Sequence, residues 1–259
     1  MSSPRFNFII LALFGINVPL VGFSKKSENP INTWRGLLEK SSECVTWVSA
    51  TVKVEINAGG RSYPPREEKL EALGTVLAND GLVALSLTKV DPTASIMSRI
   101  RIPGASVSVN YTEVNILMKD GAEVPASFLL KDSDLDLAFL LPLPQEETDS
   151  TLATFQPVPA SPKKTSLQAL DEVVSLGKLN RNLYRQSTLR RGWVDAVIQK
   201  PREYYVIGGV SPGTPVFDSS GNWLGVGVYK MASGRPTQVV TLPAADVLEI
   251  ADQVRKRSK

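Results

Sequence analysis

The sequence contains no histidine among its 259 residues. Histidine is the usual general base near neutral pH and the commonest metal-binding side chain. Its absence excludes a Ser-His-Asp triad and any histidine-ligated metal. A single cysteine, Cys44, also excludes an intrachain disulfide and a cysteine-rich zinc site. We therefore expect no metal and no cofactor, and we interpret Cys44 as a small buried residue of a strand.

Charge of one sign is not in large excess either. The chain has 29 Lys and Arg against 26 Asp and Glu, a net charge of +3, which is too small to indicate nucleic acid as a partner. An apolar fraction of 42% and a charged fraction of 21% are ordinary for a globular protein. The length allows one large β domain or two of about 100 residues each.

The N-terminus has the layout of a secretory signal peptide. Arg5 precedes the apolar run "FIILALFGINVPLVGF" (8–23), and the polar string "SKKSE" follows it. The run is shorter than the about 20 residues that a membrane span needs. We predict that residues 1–24 direct export and that the folded part is periplasmic or secreted. An uncleaved anchor is the open alternative, and only then would the chain contact a membrane.

The pattern of apolar residues predicts an all-β protein in two halves. "VTWVSATVKVEIN" alternates apolar and polar residues, and "NDG" (79–81) between apolar runs is typical of a hairpin turn. We divide the chain into an N-terminal segment (25–43), a first strand set (44–141), a linker (142–166), a second strand set (167–242), and a C-terminal helix with the basic tail "RKRSK" (243–259).

Four collinear strings resemble one protein family. They are "GTVLANDGLVALSLTKV", "VNILMKDGAEVPASFLLKDSDLDLAFLLPL", "VSPGTPVFDSSGNWLGVGVYK" and "VVTLPAADVLEIADQV". Over residues 42–256 the chain is similar to the Deg/HtrA type of trypsin-like serine proteases, without their PDZ module. The resemblance implies two chymotrypsin-like six-stranded β-barrels followed by a C-terminal helix.

Two of the family's three catalytic residues are replaced at the matching positions of this chain. The histidine position falls on Thr88, the aspartate position on Asp136, and the serine position on Pro212 in "VSPGTP". Threonine cannot act as a base near neutral pH, and proline offers neither a hydroxyl nor an N–H for an oxyanion hole. The resemblance therefore implies an inactive homologue, a pseudoprotease that binds a polypeptide or protein partner.

Two other functions stay open at this point. The chain could be an active serine-type endopeptidase in which Ser211 or Thr214 is the nucleophile and Lys89 the base, because Ser-Lys chemistry exists when the lysine is desolvated. A purely structural assembly role is the other. Asp136 likewise has two interpretations, a former triad member or a structural carboxylate that accepts hydrogen bonds, including one from Thr88.

A basic segment offers a second candidate surface. "RNLYRQSTLRRGW" (181–193) contains Arg181, Arg185, Arg190 and Arg191, which would suit an acidic ligand. The alternative is a solvated hairpin whose arginine stems cover apolar surface.

Overall fold

We describe the protein from a computed structural model that covers residues 30–100, 102–144, 153–159 and 166–257. The predicted signal segment (1–24) and part of the predicted linker lie outside these residues. The helices are α1 (Pro30–Ser41), α2 (Thr93–Arg99) and α3 (Ala244–Arg257). None of the helices in the described ranges is long and apolar enough to cross a membrane.

The strands of the first half are β1 (Val45–Ala58), β2 (Arg61–Ser62), β3 (Arg66–Val76), β4 (Val83–Ser86), β5 (Ser106–Leu117), β6 (Glu123–Asp132) and β7 (Leu137–Pro142). They are arranged in the order β2-β1-β3-β4-β7-β6-β5, and pairing of β1 with β5 closes the sheet into a barrel. The predicted turn joins β3 to β4, with Gly81 at φ 83°. Alternate residues of β1, including Ala50, Val52 and Val54, are buried in the barrel core.

The strands of the second half are β8 (Glu172–Lys178), β9 (Ser187–Ile198), β10 (Tyr204–Ile207), β11 (Pro215–Asp218), β12 (Trp223–Ala232) and β13 (Arg235–Pro243). They form a closed antiparallel barrel in the order β10-β13-β12-β11-β8-β9. The predicted fold class, all-β with two six-stranded barrels and a C-terminal helix, is confirmed.

Another hydrophobic core lies between the barrels and packs against the helices α1 and α3. It unites residues of both barrels, such as Phe139 and Phe217, with Trp34 of α1. The helix α3 contributes one face, with Val247 and Ala251 buried at the spacing of an amphipathic helix. This core is therefore continuous across the junction of the two barrels.

The helix α2 is an element that the apolar pattern did not predict. It has only seven residues and no buried residue, so it lacks the apolar stripe that identifies longer helices. Its start is fixed by Asp91, whose Oδ1 accepts a hydrogen bond from the Thr93 N–H at 3.0 Å. The helix forms one wall of the groove between the barrels, opposite the β12–β13 hairpin.

Candidate functional site

Asp136 lies in a tight turn between β6 and β7. Asp132 organises this turn, because its Oδ1 accepts hydrogen bonds from the backbone N–H groups of Asp134 and Leu135, both at 2.9 Å. Asp136 adopts φ 54°, a left-handed conformation that aspartate tolerates better than most residues. The turn thereby directs the Asp136 carboxylate to the junction of the two barrels, where the residue is 1% exposed.

The Asp136 carboxylate accepts four hydrogen bonds. Its Oδ1 accepts from the Thr88 N–H at 2.7 Å and from the Thr88 hydroxyl at 2.6 Å. Its Oδ2 accepts from the Ser86 hydroxyl at 2.5 Å and from the Tyr229 N–H at 2.7 Å. Tyr229 belongs to β12, so this last bond crosses from the second barrel to the first. Burial of a carboxylate without donors is costly, so these four hydrogen bonds stabilise Asp136 at the junction of the barrels.

The loop that contains Pro212 meets the first barrel through its next residue. Gly213 has φ 84°, and a Cβ atom added there would lie 1.8 Å from the backbone oxygen of Leu73. The Thr75 hydroxyl donates a hydrogen bond of 2.8 Å to the Gly213 carbonyl. Only glycine fits this position, because a side chain would overlap the first-barrel backbone and the φ value is strained for other residues.

The hydroxyl of Thr214 is engaged inside the second barrel. It donates to the Ser211 carbonyl at 2.7 Å and lies 3.2 Å from the Ser175 hydroxyl. Thr214 itself is 1% exposed. A nucleophile must reach a substrate carbonyl from an open site, and the position of Thr214 does not offer that access. Ser211 is only partly buried.

Lys89 has an exposed side chain and makes no hydrogen bond or ion pair with the described part of the chain. A lysine that serves as a base in Ser-Lys chemistry is buried and desolvated. The structure therefore places Thr88 and Asp136 in contact, and leaves Lys89 in solvent. Within the described ranges no group of three or more Cys, Asp or Glu residues could hold a metal ion.

Cys44 is fully buried, as the sequence predicted, but it ends a 3-10 turn (Ser42–Cys44) directly before β1 and is not a strand residue. Burial disfavours the thiolate and raises the pKa of its thiol to about 12. A thiol with such a pKa is not a nucleophile near neutral pH.

The four arginines of the basic segment (181–193) lie in different environments. Arg185 bonds Glu71 of β3 at 3.2 Å and lies 5.6 Å from the Trp47 ring centroid. Arg191 pairs with Glu172 and lies within 6 Å of two tryptophan rings, Trp34 and Trp193. Both arginines therefore have partners within the chain, Arg185 on the first barrel and Arg191 beside α1.

The other two arginines of the predicted basic surface, Arg181 and Arg190, are exposed. They stand at different places, one in the loop at the tip of the β8–β9 hairpin and one within β9. An acidic ligand at all four arginines stays a prediction, and the intramolecular partners of Arg185 and Arg191 do not favour it.

A cavity of about 580 Å³ opens in the groove next to Asp136. The first barrel contributes Thr88, the helix α2 and the turn before Asp136, and the second barrel contributes the end of β12 and the turn that follows it. Its walls therefore come from both barrels, and the junction at Asp136 sets the distance between them.

Comparison with solved structures matches this architecture to an HtrA-type protease in complex with a tripeptide, with a TM-score of 0.54 and 12% sequence identity. The fold is that of a trypsin-like, HtrA-type protease. The match covers 87% of this chain and 63% of the other, so this chain spans under two thirds of that structure's length. No protein-family model matches the sequence, and no curated protein matches it.

Within this HtrA-type fold, the sequence prediction found Thr88 and Asp136 but missed their partners. The Thr75 hydroxyl and the Tyr229 N–H bond across the two barrels, and the Ser86 hydroxyl bonds Asp136 within the first barrel. None of the three stands at the predicted histidine, aspartate or serine position. Ser86 had one usable signal, because it is a polar residue inside the apolar strand "VALS" and a buried hydroxyl needs a partner. A backbone N–H such as that of Tyr229 has no sequence signal at all.

Proposed function

We propose that this chain is an inactive homologue of the HtrA-type proteases that binds an extended polypeptide in the groove between its barrels. The main observation behind the proposal is that the Asp136 carboxylate accepts four hydrogen bonds, all of them from groups of the chain itself. In a working triad this carboxylate orients and stabilises a histidine that acts as base.

The absence of a base supports the same conclusion. The chain contains no histidine, and the Thr88 side chain beside Asp136 donates a hydrogen bond to the carboxylate. An exposed Lys89 does not replace the base, because a lysine base needs a desolvated setting. The serine-type endopeptidase that the sequence left open therefore has no contact in its favour.

The loop that contains Pro212 also supports the proposal of an inactive homologue. Proline has no hydroxyl to attack a carbonyl and no N–H to stabilise an oxyanion. The neighbouring hydroxyl of Thr214 is buried and hydrogen-bonded within the barrel. Gly213 meanwhile fits against Leu73, so the loop contributes to packing between the barrels.

Polypeptide binding is supported by a strand edge beside the cavity. β11 pairs with β12 only as far as Val226, whereas β13 pairs with β12 along nearly its whole length. The Tyr229 N–H points away from β13, toward Asp136, and backbone groups two residues apart in a strand point the same way. The Tyr229 carbonyl and the backbone of Met231 therefore face the groove, where an extended peptide could pair with them.

We also propose that the chain acts outside the cytoplasm, because the apolar run at 8–23 has the layout of an export signal.

The test uses fluorescently labelled unfolded casein and the full chain. We expect the anisotropy of labelled casein to rise with protein concentration and no fragments to appear on gels. Ala94→Trp should fill the cavity beside α2 and weaken this binding, whereas Ala196→Trp, at an exposed position of β9 outside the cavity, should not. Casein fragments that disappear in a Ser211→Ala variant would contradict the proposal.

A further inference from the structure

The lining of the cavity is divided into an apolar part and an acidic part. Leu87, Ala94, Met97 and Met231 supply the apolar part, from both barrels and from α2. Met97 of α2 and Met231 of β12, on opposite walls, give an adaptable surface that accommodates long unbranched side chains. A cavity of about 580 Å³ is large enough to enclose such a side chain with the backbone that carries it.

Asp91 supplies one acidic group in a fixed position. Its Oδ1 accepts a hydrogen bond from the Thr93 N–H, and its Oδ2 accepts one from the Tyr111 hydroxyl at 3.1 Å. Burial and the Asp91 charge raise the pKa of Tyr111, so this phenol stays a donor. The carboxylate is thus held at the cavity wall with lone pairs to spare.

Asp134 supplies a second acidic group, and this one has no partner within the described part of the chain. It is exposed at the rim of the cavity, in the turn that Asp132 organises. Its carboxylate is therefore available to a ligand without loss of an internal bond.

The other charged groups that face the cavity are Asp136 and Lys230. The Asp136 carboxylate is occupied by its four donors. The Lys230 ammonium lies 5.1 Å from the ring centroid of Tyr204, a residue outside the cavity lining, so its charge is held at the margin. The accessible charges of the cavity are consequently acidic.

We propose that the cavity binds a basic side chain, Arg or Lys, of an extended polypeptide whose backbone lies along the edge of β12. The long apolar stem packs against Met97 and Met231, and the cationic end reaches the carboxylates of Asp91 and Asp134. Arg and Lys side chains commonly pack their apolar stems against apolar surface while their charged ends contact polar groups. The inference rests on the proposed polypeptide binding and adds the class of side chain.

The test measures binding of fluorescein-labelled peptides SVTXVTS to the full chain, with Arg, Lys, Leu or Glu at the guest position X. We expect the Arg and Lys peptides to bind about 3- to 10-fold tighter than the Leu peptide, and the advantage to shrink at high salt. The Glu peptide should bind most weakly. In the double variant Asp91→Asn, Asp134→Asn the Arg and Leu peptides should bind alike, whereas Asp252→Asn on α3 should change nothing.

Three results would overturn the inference, and they separate it from the proposed function. If the Leu peptide binds as tightly as the Arg peptide, the groove binds polypeptide but not through a basic side chain. The same conclusion follows if the Arg advantage persists in the double variant while its thermal unfolding matches that of the parent. If none of the four peptides binds, both the proposed function and this inference are wrong.

Discussion

The two barrels are joined at two contacts by different physical means. At Asp136 a buried carboxylate of the first barrel accepts a hydrogen bond from the Tyr229 N–H of the second. At Gly213 the second-barrel backbone lies so close to Leu73 of the first barrel that no side chain fits between them. One junction therefore depends on a carboxylate and its donors and the other on steric fit. The first stands at the predicted aspartate position, and the second is next to the predicted serine position, Pro212.

The difference shows that a trypsin-like fold can join its two barrels by a polar contact and by a steric contact at once. The Asp136 carboxylate satisfies four donors, and its removal would leave them without an acceptor. The loop that contains Pro212 contributes Gly213, whose lack of a side chain permits the close approach to Leu73. Both positions therefore contribute to stability, and variants at the two contacts should lose stability in different ways.

The largest effect is expected at the polar junction. Asp136→Ala leaves the buried Ser86 hydroxyl and the half-buried N–H groups of Thr88 and Tyr229 without an acceptor. We expect a loss of about 3 to 5 kcal/mol in the free energy of unfolding, because unpaired buried donors are costly. Urea unfolding followed by circular dichroism measures it.

Asp134→Ala is the matched control for this change. Asp134 is exposed in the same turn, so its truncation should alter the free energy of unfolding by about 0.5 kcal/mol or less. Equal losses in the two variants would show that the buried carboxylate does not hold the barrels together.

The next effect is expected at the steric junction. Gly213→Ala adds a methyl group that overlaps the Leu73 carbonyl at a φ value of 84°, and we expect a loss of roughly 2 to 5 kcal/mol from strain and overpacking together. Gly209→Ala has nearly the same φ, 80°, but meets nothing within 4 Å. It should cost only about 1 kcal/mol.

Thermal unfolding measures the loss of stability in both glycine variants. Because their φ values are similar, the difference between the two losses gives the effect of the overlap with Leu73 apart from the backbone strain. If Gly209→Ala is as destabilising as Gly213→Ala, the contact with Leu73 contributes nothing and the strain explains the whole loss.

A smaller effect is expected from the hydrogen bond that supports the steric junction. Thr75→Val keeps the shape of the side chain but removes the donor to the Gly213 carbonyl, for a loss of about 1 to 2 kcal/mol. Thr237→Val removes an exposed hydroxyl that bonds the Lys230 carbonyl, where water can replace it, so little change should follow. A loss at Thr75 no larger than that at Thr237 in urea unfolding would contradict the role assigned to this bond.

The fold could be predicted because its signals are local and repeated. Strand alternation, the Asn79–Gly81 turn and the apolar spacing of α3 each follow from side-chain direction in regular elements. The helix α2 was not predictable on the same basis, since it is short and buries no residue. The cavity that it walls was consequently missed.

The candidate site could be predicted only in part. Contact between Thr88 and Asp136 followed from the resemblance, and the structure contains it. The Tyr229 N–H could not be foreseen, because every residue except proline has this donor and the pairing depends on how two barrels meet. The close approach of Gly213 to Leu73 depends on the same packing, which no local pattern specifies.

The central claim is that the groove carries no hydrolytic nucleophile, and an activity-based probe tests it most directly. The full chain is incubated with a fluorophosphonate at neutral pH, and its intact mass is measured with Ser211→Ala and Thr214→Val variants as references. We predict that the mass of the parent chain stays unchanged. A stoichiometric adduct that is lost in either variant would show an activated hydroxyl and contradict the account.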